Sequence, residues 1–176
     1  MTENKDWLDL LFMLAPLLVC AGGFYLMIKK MFDRDFAIKS VEQRQAIKKE
    51  TIPLRFQAFE RMTLFLERIS PNNLVVRIMN PESTAGDLQQ ELLIAVRSEY
   101  EHNLTQQVYL APQTWIMVKN AKEDVIRIIN SAAAEVSPSS KAIDLSTKIF
   151  EVMLRSEKLP VQNALDAIKI EAGQMF

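Results

Sequence analysis

His102 is the only histidine in the 176 residues, and Glu99 and Glu101 lie beside it. An imidazole flanked by carboxylates offers either a metal ligand or a general base, and each role needs companions. A metal site gathers several histidine, cysteine or carboxylate ligands on matching faces. Here there is no second histidine, and the one cysteine, Cys20, lies far away in an apolar run. A serine or cysteine nucleophile needs a base turned towards it, and every such pairing would draw on this one ring. No glycine-rich loop followed by lysine is present to cradle phosphates. We therefore expect no catalytic, cofactor-binding or metal-ligating residue and no cofactor. His102 is expected to face solvent near a helix end, with the carboxylates spread over exposed helix faces.

Charge argues against nucleic acid as a partner. Beyond Arg55 the chain carries twelve basic and fifteen acidic side chains, where a phosphate-binding face needs a basic excess or a clustered basic patch. The basic excess lies earlier. From Lys29 to Arg55 there are eight basic residues against four acidic ones.

That excess follows an apolar run. Leu10 to Ile28 is nineteen positions without a charge, closed by Lys29-Lys30. At about 1.5 Å per helical residue this reaches roughly 28 Å, close to the hydrocarbon thickness of a bilayer. Trp7 at one end, with Phe24 and Tyr25 near the other, suits the interfaces. The acidic start (Glu3, Asp6, Asp9) and the lack of a small-x-small cleavage site favour an uncleaved anchor over a signal peptide. Basic flanks stay on the cytoplasmic side. Lys29, Lys30 and Arg34 therefore predict a single-pass inner-membrane protein with its N-terminus outside and its larger part in the cytoplasm. Gly22 and Gly23 with Ala15 are either ordinary membrane-helix residues or a close-packing face for a partner helix.

The elements that would position any site read as all-α: one N-terminal transmembrane helix, a juxtamembrane connector helix and a cytoplasmic multi-helix domain. The expected boundaries are a tail over 1–9, the transmembrane helix over 10–28, the basic connector over 29–50 and the helical domain over 51–176. Glycine is scarce and no long polar–apolar alternation suggests a strand. Thr51 and Pro53 mark a fresh helix start. Two apolar stripes follow, Ile52-Phe56-Phe59-Thr63-Leu66-Ile69 and Leu54-Ala58-Met62-Phe65, which predict the centre of the domain. Arg55, Glu60, Arg61, Glu67 and Arg68 make up its solvated, salt-bridged face. A short helix from Ser70-Pro71 to Met79 comes next, with a brief strand at Val75-Val76 as the alternative. Thr84 with Asp87 resembles a capping box opening a helix with Leu88, Leu92, Ala95, Val96 and Tyr100 inside. Leu104 to Leu110 reads as a frayed end or loop. Trp115, Val118, Ala121, Val125, Ile128, Ala132 and Val136 predict one core face of a long helix. Two further helices follow, one with Ala142, Leu145, Ile149 and Val152, the other restarting at Leu159-Pro160 with Val161, Ala164, Leu165, Ile168 and Ala172. No period of twenty to fifty residues repeats.

The segments Pro53-Leu54-Arg55-Phe56-Gln57-Ala58-Phe59-Glu60-Arg61 and Leu64-Phe65-Leu66-Glu67-Arg68-Ile69 resemble an uncharacterised family of single-span membrane proteins of Bacteroidota. Glu101 to Gln107 and Val118 to Glu123 are similar to it as well. The resemblance implies the same architecture and a Gram-negative inner membrane, and it brings no activity or ligand.

Two functions stay open. One is a membrane-anchored interaction or scaffold protein, or an accessory subunit of an inner-membrane complex. It would hold the bilayer through Leu10 to Ile28 and a protein partner, or a second copy, through the helical domain. The other is an enzyme or ligand-binding domain with an unfamiliar site. The apolar helix from Pro53 to Ile69 is expected either to be wrapped completely or to leave Phe56 with Phe59 or Phe65 open as a docking patch.

Overall fold

The computed structural model describes residues 3–155 and 161–175, with the side chains of 3–12, 15, 35–38, 40–42, 44 and 46 also outside the description. The described residues are all-α, in the order α1 (Glu3–Ile69), α2 (Pro71–Ile78), α3 (Ala85–Asn103), a 3-10 turn (Leu104–Tyr109), α4 (Pro112–Ala133), α5 (Ala142–Leu154) and α6 (Gln162–Gly173). The restart expected at Leu159-Pro160 lies outside the described residues. Two compact units divide the chain, Met1–Glu50 and Thr51–Phe176.

The first unit is helix alone. Among its described side chains Met13, Leu17, Leu18, Val19, Phe24, Leu26, Met27 and Phe32 are exposed, and Ile28 is half-buried. A side chain added at Gly22 or Gly23 would meet nothing within 4 Å. Among the described residues no helix is long and apolar enough to cross a membrane. The part of the expected span whose side chains are described without a break is Pro16 to Ile28, thirteen residues ahead of Lys29. The remainder of the expected span includes Leu10, Leu11, Phe12 and Ala15, whose side chains lie outside the described residues.

In the second unit the chain stays helical through Pro53, where a fresh start was expected. Proline there removes one i→i−4 hydrogen bond and crowds the preceding turn, a loss of about 3 kcal/mol in a helix interior. Burial of the turns that follow offsets it. Ala58, Phe59, Met62, Phe65, Leu66 and Ile69 are all buried, each large one contributing about 1.5–3 kcal/mol. The expected second stripe is thus mostly core, but Leu54 at its head is exposed. A second helix is buried as deeply. It is α4 that touches α3, α5 and α6, through Val118, Ala121, Val125, Ile129 and Ala132. Ile129 is fully buried while Ile128 is only half-buried, one position away from the expected face. The same slip occurs on α5, where Met153 is buried and Val152 half-buried. Val75 and Val76 are helical, and Leu104 to Tyr109 is an ordered 3-10 turn, not a frayed end.

Aromatic rings tie three helices together. Phe65 on α1 meets Tyr100 on α3 at 6.1 Å, and Tyr100 stacks on Trp115 of α4 at 5.7 Å, with the Lys122 ammonium 4.4 Å from the Tyr100 ring. Such pairs add to burial energies.

Two helix–loop–helix halves join through their loops. Ala85 N–H donates to Ser140 carbonyl (2.8 Å) and Ala142 N–H to Ser83 carbonyl (3.0 Å), making one antiparallel bridge between Thr84 and Lys141. Gly86 also donates to the Pro138 carbonyl at 3.0 Å, and a Cβ there would come within 3.3 Å of that oxygen. Glycine is what allows the loops to approach this closely. The start of α3 carries the expected capping box, with the Thr84 hydroxyl accepting from Asp87 N–H and the Asp87 carboxylate accepting from Thr84. The bonds from the Thr84 hydroxyl and N–H hold the Asp87 carboxyl below its ordinary pKa of 3.8.

Candidate functional site

Arg61 and Arg68, two members of the set expected to be a solvated, salt-bridged face, lie on one wall of an open groove. Leu54, Gln57, Arg61, Leu64 and Arg68 fall three or four residues apart on α1, so they line one face. Between α1 and α3 this face bounds a hollow of about 580 Å³, completed by Ser98, Glu99, His102 and Asn103. A second hollow of about 440 Å³ lies between α1 and the 3-10 turn, with Gln106, Val108 and Tyr109 opposite Leu54. Arg61 lines both, so they form one trough.

Its walls are fixed by polar contacts. Glu99 accepts from Arg68 at 2.6 Å and lies 3.8 Å from Arg77, joining α1, α2 and α3 at one carboxylate. Asn103, buried, donates to the Glu99 carbonyl at 2.8 Å. Arg61 is different: among the described residues no carboxylate pairs with it. Apolar surface sits beside that cation, with Leu64 59% exposed, Leu54 47% and Val108 79%. A groove with an unpaired guanidinium, a histidine and exposed aliphatic side chains can hold a carboxylate-bearing, partly apolar ligand.

His102 stands exposed in this trough near the end of α3. Among the described residues Ser98, one helical turn before it, makes no hydrogen bond to the ring. Glu101 is exposed outside the trough. Among the described residues no group of three or more histidine, cysteine, aspartate or glutamate side chains is placed to hold a metal ion. The phenylalanines fall differently from the docking patch considered above: Phe59 and Phe65 are buried, and Phe56 is half-buried, edge-on to Phe59 at 6.1 Å.

A part-buried ion pair joins α1 to α6, and no local pattern in the sequence announces it. Arg55 binds Glu171 of α6 at 2.6 Å and donates from Nε to the Tyr109 carbonyl at 3.0 Å, its guanidinium 5.6 Å from the Phe59 ring. Glu171 Oε1 also accepts from Ala111 N–H at 2.9 Å, while its Oε2 is buried without a partner. Another charge cluster lies elsewhere. Lys148 bridges Glu135 (2.8 Å) and Glu151 (3.0 Å), and their bonds hold its pKa above the ordinary lysine value while Lys148 holds Glu135 below the usual carboxylate range.

The described residues thus form an all-helical fold with shallow grooves at its surface. The chain belongs to a family of unknown function (DUF7935), whose model matches residues 5–175. The match spans every segment on which the resemblance to an uncharacterised family rests. No curated protein and no solved structure matches the chain.

Proposed function

We propose that this chain is a membrane-anchored interaction protein whose helical domain holds an acidic, partly apolar segment of a protein partner in the trough along α1. The observation that carries the reading is the line Leu54, Arg61, Leu64: two exposed leucines on one helix face with an arginine that no carboxylate among the described residues pairs. Hydrophobic contact would supply affinity there, and the guanidinium would select a carboxylate. Nothing in the trough pairs a nucleophile with a base, so binding is favoured over catalysis.

The anchor is part of the same proposal. It counts Leu10 to Ala15 together with the described stretch from Pro16 to Ile28, giving a run long enough to span. Exposed Leu17, Leu18, Val19 and Leu26 support it, because a bilayer would cover them. The basic flank after Ile28 would place the domain on the cytoplasmic side of a Gram-negative inner membrane.

The test is co-purification of the full-length chain from its native membrane in mild detergent. A stoichiometric partner should be recovered with the natural chain, lost with Arg61→Glu and with Leu64→Asp, and kept with Glu60→Ala. Equal recovery by all four proteins would remove the trough from the function.

A further inference from the structure

We infer that the groove between α4 and α6 is a second binding site, and that it takes a basic amphipathic helix from a partner protein. The hollow holds about 490 Å³ and shares no residue with the trough along α1. Its apolar surface comes from both helices. Ile116 on α4 is 43% exposed and Ile170 on α6 is 63% exposed. Between them, Ala121 and Ala167 keep the floor low, so a docked helix can approach the backbone closely.

Charge decides what fits. The only ionisable side chains lining the groove are Asp124 and Asp166, one on each helix, and no lysine, arginine or histidine lines it. Each carboxylate has an outward neighbour three residues on: Arg127 for Asp124 and Lys169 for Asp166, the latter at 3.9 Å. Both cations are about 70% exposed. Such surface pairs are weak and yield to a better-placed partner. Gln113, Asn120 and Asn163 add amides that can bond polar side chains of the guest. An amphipathic helix with leucines three and four apart matches the isoleucine pair, and lysines on its flanks reach the two aspartates. An acidic helix would meet like charge on both sides of the groove. This groove thus prefers the opposite charge to the trough along α1, where Arg61 lies unpaired, so the domain can join two partners of unlike charge.

The test uses the full-length chain in neutral phosphatidylcholine nanodiscs, with empty nanodiscs as the blank. The probe is a fluorescent amphipathic leucine–lysine peptide, compared with its leucine–glutamate counterpart by anisotropy. The lysine peptide should bind and the glutamate peptide should not. Asp124→Asn with Asp166→Asn should weaken binding at least about tenfold, and so should Ile170→Asp, whereas Asp144→Asn should leave it unchanged. Asp166 is exposed and Asp124 half-buried at the surface, and circular dichroism checks that their replacement keeps the fold. Equal binding by the double variant, or equal binding of the two peptides, would overturn the site. Failure of the Arg61 and Leu64 variants in co-purification would bear on the α1 trough alone.

Discussion

Arg55 and Glu171 are 116 positions apart in sequence, yet they meet at 2.6 Å. From sequence, Arg55 belonged with a solvated face and a topological charge excess, because an isolated charge on an amphipathic helix gives no hint of a distant mate. Its stability role can be measured. Glu171 is nine-tenths buried and one of its oxygens has no partner, so removing the cation would strand a buried carboxylate. Arg55→Met should destabilise the Thr51–Phe176 unit by about 2–3 kcal/mol, below the range for a fully buried pair because Arg55 is one-third exposed. Arg55→Met combined with Glu171→Met should recover much of that loss, since apolar replacement of both partners removes the stranded charge. Urea unfolding of the three proteins checks it. A double variant no more stable than Arg55→Met would mean that guanidinium packing on Phe59, not charge, holds α6.

At the scale of elements, what was local was legible. The capping box at Thr84 and Asp87 is a four-residue pattern and it forms as such. The phase of α4 was less so. Val125, Ile126, Ile128 and Ile129 are all large and apolar, so two neighbouring faces satisfy the helical period equally well. Only the packing of α3, α5 and α6 around α4 selects Ile129, and nothing in the sequence of one helix contains that choice. The pairing of the Thr84 and Lys141 loops was equally hidden, because backbone hydrogen bonds carry it and no side-chain pattern need record it. Ile129→Ala should therefore cost roughly 2–5 kcal/mol, the range for truncating a large buried aliphatic. Ile128→Ala should cost less, and exposed Glu123→Ala should stay within about 0.5 kcal/mol. Denaturant midpoints at constant slope would show the order. Parity between Ile128 and Ile129 would mean that the two share one buried face.

For the whole molecule, the candidate trough was half legible. Arg61 and Arg68 were visible on one solvated face while Leu64 was not placed there, and whether Arg61 has a mate depends on where the carboxylates of α3 point. What holds the first unit is a question of surface. Leu17, Leu18, Val19, Phe24 and Leu26 are each more than half exposed, and covering each would return about 1.5–3 kcal/mol. A bilayer or another protein can supply that cover, and the two make different demands. A bilayer requires Leu10 to Ile28 to resist alkaline extraction, with the charge bias after Ile28 setting direction. A cytoplasm-active reporter fused at Phe176 should then work and a periplasm-active one should stay silent. Neutralising Lys29, Lys30 and Arg34 should weaken that preference, since positive charge near the end of a span sets its orientation. Protein cover would instead release the chain into the alkaline supernatant together with its partner, with the reporters indifferent to those three residues. That second pattern would end the anchor reading, and it would leave the two grooves of the Thr51–Phe176 domain to be tested as surfaces of a peripheral protein.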